Sequence, residues 1–231
     1  WQRRLSCIDP QKLDPQDRYA YLLFDRFLAL TLEGSDFTYY TDPLSPSSGM
    51  VSGLPVLLAD YTFRTKKDVE DYLGILEQTG AYFDALIRYE QEKSSAGLFM
   101  SDTSADNVIE QCDSIMDPVL LKDGSHFLQQ TFTERLDGLA SDEIITGEEK
   151  QQYIDKNNLL LTTVMAPAYE RVGDAFLVLK GTGTNPYGLC YYPEGKEYYT
   201  YLLAQTTGSS RSIPEIRRLL EKDYQKNFHA L

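Results

Sequence analysis

Histidine is scarce in this chain: His126 and His229 are its only two. A zinc hydrolase of the HExxH kind needs two His one helical turn apart plus a carboxylate. Neither His has a His or acidic partner at ligand spacing, so both read as surface or internally satisfied side chains, and no metal site is expected in this chain. Cysteine is limited to Cys7, Cys112 and Cys190. Without a CxxC pair, zinc knuckles and thioredoxin-like redox motifs are excluded, and the three thiols are expected to be free or buried. No GxSxG elbow or Walker loop occurs, and GTGTNP, from residue 181, fails the GxGxxG pattern at its last position. A catalytic residue cannot be assigned from any spacing. A Lys/Arg surplus is also missing: 22 basic against 35 acidic residues give a formal net charge of −13. That excludes nucleic acid as a partner and disfavours an anionic membrane surface. Apolar runs are short, Leu54–Ala59 being typical, so no membrane-spanning segment is expected. The chain opens on Trp1 with no signal peptide. The expectation is that the natural N-terminus has been removed, which is compatible with export.

What is present is helical. Asp14-Pro15 reads as a cap followed by proline at the first helical position. Behind it, Tyr19, Leu22, Leu23, Phe27 and Leu30 share one face, and Gly34 closes the helix. Residues 41–53 read as a Pro/Ser/Gly loop, followed by a short apolar turn at residues 54–61. Thr65/Asp68, Thr103/Asp106, Thr146/Glu149 and Ser212/Glu215 read as capping boxes. Val69, Tyr72, Leu73 and Leu76 supply an apolar stripe that Gly80 is expected to break. Val108, Ile109, Cys112, Ile115 and Met116 follow at helical spacing. Another helix is expected from Ser125 to about Leu136. From Thr146 a long apolar face runs to Leu179, with a kink or break expected at Pro167. A helix is expected over 194–207. Strand signals are few: 187–192 as a short extended piece, and an ambiguous 37–40. The expected fold is all-α, a multi-helix bundle with little or no sheet. A linker over 137–147 suggests an N-terminal helical region, 1–140, and a long-helix region with a Tyr-rich segment, 141–231; one continuous domain is equally compatible.

Tyrosine is the unusual residue, 17 of 231. Tyr191, Tyr192, Tyr198, Tyr199 and Tyr201 crowd one segment beside a Gly-rich loop. Tyrosine buries an apolar body and keeps a polar tip, which suits both core packing and cleft lining. Paired carboxylates such as Asp142-Glu143 and Glu148-Glu149 sit at helix starts, where they complement the dipole without catalysis.

Three stretches together resemble one family. They are the opening helix with its DPLSP segment, the stretch from Leu54 to Asp102, and PEGKEYYTYLLAQTTGSSRSIPEIRRL from Pro193 to Leu219. In that order they are similar to the bacterial family known as domain of unknown function 885, over most of the chain. The family resembles helical zincin-type metallopeptidases whose metal motif lies in a C-terminal half. The resemblance therefore implies an N-terminal fragment, inactive alone. Zinc is expected in the full-length protein and no cofactor in this chain. The partners implied are the missing C-terminal half and a peptide substrate, and the location is extracellular or that of a cell-surface lipoprotein. The Gly-x-x-Tyr-Tyr pattern marks Gly195, Tyr198 and Tyr199 as substrate-cleft residues. Arg217 stands where the family often has His, so no role is carried to that position. A self-contained, non-enzymatic helical binding module is the alternative. A severed half should expose a broad apolar face; a closed module should show a defined pocket.

Overall fold

Side-chain caps and prolines set where most helices begin. The computed structural model describes residues 1–185 and 187–229. It comprises α1 (Gln2–Leu5), α2 (Pro15–Gly34), α3 (Met50–Ala59), α4 (Lys66–Ser95), α5 (Asp102–Ile115), α6 (Pro118–Asp123), α7 (Phe127–Ser141), α8 (Gly147–Leu160), α9 (Ala166–Leu179), α10 (Gly195–Thr207) and α11 (Ile213–Phe228). Asp14 caps α2 by accepting the Gln16 and Asp17 amides. Thr65/Asp68 and Thr146/Glu149 form reciprocal capping boxes. Ser212 donates both its amide and its hydroxyl to Glu215. No strand occurs among the described residues, and the fold is all-α. The expected extended piece at 187–192 contains instead a 3-10 turn, Leu189–Tyr191, and Ser35–Phe37 is another.

The chain divides into two units, one formed by residues 42–186 and the other by both chain ends, 1–41 and 187–231. The continuous unit holds α3 to α9. In it α9 packs against α4 and α5, while α7 packs against α3 and α8. Tyr72, Phe83, Phe99, Phe132, Tyr169 and Phe176 are fully buried there. The stretch 142–146, within the expected linker, is the turn between α7 and α8, inside this unit.

Several local expectations are corrected. Gly80 does not break α4, which runs through it, because the helix is held on both sides of the glycine by buried Leu76, Thr79 and Phe83. The start of α5 is capped by Ser101, which accepts the Ser104 amide, not by Thr103. The supposed turn at 54–61 is mostly the second half of α3, which tolerates Pro55. Pro167 ends the regular α-helix in a specific way. Residues Leu161–Met165 form a π turn, and Ala166 donates its amide to Leu161 O, five residues back.

The chain-end unit holds α1, α2, α10 and α11. The α2 stripe has helical period, but only Leu30 on it is buried; Tyr19, Leu22 and Phe27 are 65%, 52% and 61% exposed. On α11 no residue is buried, and Leu219, Leu220, Tyr224 and Phe228 are exposed. The loop read over 181–188 includes Pro186, which lies outside the described residues.

Candidate functional site

The tyrosine-rich segment builds two different things in the chain-end unit. One is an aromatic cluster. Tyr198 is 5% exposed, with its ring 5.3 Å from Phe37 and 5.0 Å from Tyr40. Tyr201 stacks on Phe37 at 5.5 Å, and Tyr192 meets Tyr40 edge-on at 6.3 Å. The Tyr201 hydroxyl lies 2.2 Å from where a side chain on Gly34 would begin, so the glycine that closes α2 also lets this ring in. Tyr40 donates its hydroxyl to Pro193 O. Burial and then the carboxylates of Glu194 and Glu197 push the Tyr40 phenol up, which keeps it a neutral donor and not a base.

The other is an apolar groove of about 410 Å³ lined by Leu189, Cys190, Gly195, Lys196, Tyr199, Thr200 and Ile213. Its walls are the 3-10 turn, the first turns of α10 and the start of α11. The turn approaches α10 so closely that a Cβ on residue 195 would lie 1.8 Å from Leu189 O, a clash with main chain that only glycine avoids. Glu194, just before it, holds a left-handed conformation at φ 53°, and Gly188 another at φ 101°. Cys190 is a free, exposed thiol in the groove.

Of the three residues marked from sequence, Gly195 and Tyr199 therefore line one surface and Tyr198 turns away into the aromatic cluster. Spacing explains the split: 195 and 199 are one helical turn apart, while 198 is rotated from both. Leu189, Cys190 and Ile213 carried no sequence signal, because they come to the groove from a short turn and a separate helix.

Among the described residues no side-chain set fits a catalytic zinc. No three His, Cys, Asp or Glu side chains converge on a point among the described residues. His126 is buried with both ring nitrogens used: Nδ1 accepts the Leu128 amide at 3.3 Å, and Nε2 donates to Ile115 O at 2.7 Å. His229 follows the end of α11 and contacts Phe228. The continuous unit holds one further unusual group, Glu90. It is fully buried, and neither carboxyl oxygen has a hydrogen-bond partner among the described residues.

The chain was compared with protein families, curated proteins and solved structures. No curated protein matches the chain. Among solved structures, the "putative lipoprotein from Colwellia psychrerythraea" is similar with a TM-score of 0.67 at 20% identity, over 79% of this chain and 30% of that one. At that identity the likeness shows the fold, and the chain spans 30% of the solved protein's length. The family model described as "Bacterial protein of unknown function (DUF885)" matches residues 1–228. Helices, order of motifs and family match agree, and the chain belongs to this bacterial family.

Proposed function

We propose that this chain is the N-terminal helical part of a longer, exported hydrolase of the zinc-peptidase type, and that it walls the substrate cleft without supplying the metal. The observation that carries the reading is the apolar face left uncovered on α2, with a second such face on α11. Leu22, Leu23 and Phe27 on one helix and Leu219, Leu220 and Tyr224 on the other are all more than half exposed. Monomeric proteins seldom leave contiguous apolar faces in water. A further segment of the same protein is the natural cover, and the solved relative is long enough to provide one. Zinc and the groups that activate water then belong to that segment, since the histidines here are not placed to bind metal. The groove beside Gly195 and Tyr199 would receive an apolar part of a peptide substrate. The relative's description as a lipoprotein supports an extracellular or surface location.

The second reading, a non-enzymatic binding module, is favoured by the same groove, which is formed within this chain. Zinc content and cleavage of a mixed peptide library, measured on the full-length protein beside this chain, separate the two. One zinc per molecule and cleavage by the full-length protein alone support the peptidase reading. A metal-free and inert full-length protein overturns it in favour of the binding module.

A further inference from the structure

The π turn opens a second pocket, in the continuous unit and separate from the groove. It measures about 440 Å³ and is lined by Cys112, Asp113, Met116, Pro118, Thr162, Ala166, Pro167, Tyr169 and Glu170. Its floor is apolar, with Cys112, Met116 and Tyr169 buried, and its rim carries the exposed carboxylates of Asp113 and Glu170. Neither carboxylate forms an ion pair among the described residues.

The main chain adds an acceptor. In an α-helix Thr162 O would receive the Ala166 amide, but that amide goes to Leu161 O. The next amide along would come from residue 167, which is proline and has none. Thr162 O is thus left without its helical donor, on a residue that lines the pocket. The donors nearby are already committed. Tyr169 Oη donates to Val51 O at 2.8 Å, and the Thr162 hydroxyl donates within its own helix, to Asn158 O at 2.8 Å. Burial pushes the Cys112 thiol up to about 12, so it stays an uncharged, weak donor.

We propose that this pocket binds an organic cation with an apolar body, a guanidinium or amidinium group whose stem lies on Met116 and Pro118 while its N–H groups reach Thr162 O, Asp113 and Glu170. The lining offers acceptors and negative charge above an apolar floor, which rejects anions and leaves a neutral amide one unmatched charge pair short. The inference is independent of the peptidase reading: it needs neither a zinc nor a second half.

The test is a titration of the chain with benzamidine, followed by amide chemical shifts, beside neutral benzamide of the same shape. The expected result is binding of benzamidine with shifts centred on Thr162, Ala166 and Glu170, and at least tenfold weaker binding of benzamide. Asp113→Asn and Glu170→Gln should each weaken benzamidine several-fold. Pro167→Ala keeps the charge and restores an amide that competes for the free carbonyl, so it should also weaken binding while leaving the fold intact. Competition by agmatine or by N-acetyl-arginine amide then separates a free amine from a peptide side chain as the source. Equal binding of benzamide, shifts mapping elsewhere, indifference to all three substitutions, or competition by neither cation overturns the proposal.

Discussion

The Tyr169 hydroxyl donates to Val51 O at 2.8 Å, and Val51 O is the carbonyl that Pro55 deprives of its helical donor. Proline at position 55 has no N–H to offer the residue four positions back. A side chain from α9, 118 residues later, restores the missing bond inside the core. This explains how α3 survives an internal proline and why a tyrosine, not a phenylalanine, sits at a fully buried position. Burial pushes the Tyr169 phenol far up, so it remains a donor at every working pH.

Tyr169→Phe should therefore cost about 1–3 kcal/mol, the range for stranding a buried polar group. Urea unfolding measures it. The stricter check is a double-mutant cycle with Pro55→Ala, which returns an amide to Val51 O. On that background the Tyr169→Phe cost should shrink to less than half. Additive effects would mean the hydroxyl does not substitute for the absent amide.

Arg135 anchors the other end of α3. Its guanidinium lies 4.5 Å from the Phe63 ring centre and 5.2 Å from that of Tyr72. Nη1 donates to Leu58 O and Tyr61 O, and Nε to Thr131 O. Arg135→Ala strips two carbonyls at the helix end of a donor and removes the stacking, for an expected loss of about 2–4 kcal/mol. Arg135→Lys should recover only part, since an ammonium cannot reach the same carbonyls while lying flat on both rings. Full rescue by lysine in chemical denaturation would refute the account.

Glu90 makes stability depend on pH. Burial pushes its carboxyl up to about 8 from 4.5. The folded state holds this proton where the unfolded chain has lost it, so the contribution is fully present below about 4.5 and is lost as pH rises through 8. Glu90→Gln cannot ionise. The difference in unfolding free energy, wild type minus variant, should fall between pH 5 and 8 by up to about 3–4 kcal/mol, from roughly 1.4 kcal/mol per unit of pKa difference. Parallel curves for the two proteins would show that Glu90 does not titrate in this way.

Gly195→Ala brings a methyl group into Leu189 O. The turn at 189–191 must move away, which is expected to cost about 1–3 kcal/mol as an overpacked contact does. Amide shifts should be confined to residues 187–200 and the groove should change shape. Thermal unfolding unchanged from wild type would show that the close approach of turn and helix is not present in solution.

The sequence carried the helical class because its signals are local. Capping pairs at Thr65, Thr146 and Ser212 and the cap at Asp14 involve residues three positions apart or fewer, and each recurs in the structure. What failed depends on distant partners. Gly80 reads as a breaker until one knows that α9 covers α4, and Pro55 reads as a turn until Tyr169 arrives. At the start of α5 the sequence points to Thr103/Asp106 as the box, but Ser101, two residues earlier, supplies the cap. Two of the seven residues that line the groove are legible in the sequence, because Gly195 and Tyr199 share a helix and a period. Tyr198 beside them packs into the aromatic cluster instead, since adjacent tyrosines look alike in sequence until the ring of Phe37 selects one for burial. The pocket at the π turn left a trace in Pro167, but a proline announces only that a bond is missing, not which carbonyl stays open.

The division of the chain also imposes an order on its synthesis. One unit is a single stretch, 42–186, and can close as soon as that stretch has left the ribosome; the other needs both ends of the chain. At roughly 5–20 residues per second, α2 emerges on the order of ten seconds before the α10 that packs on it. Through that interval the Gly34 end of α2 waits for the Tyr201 ring that α10 brings, while the apolar face of α2 is open both before and after α10 arrives.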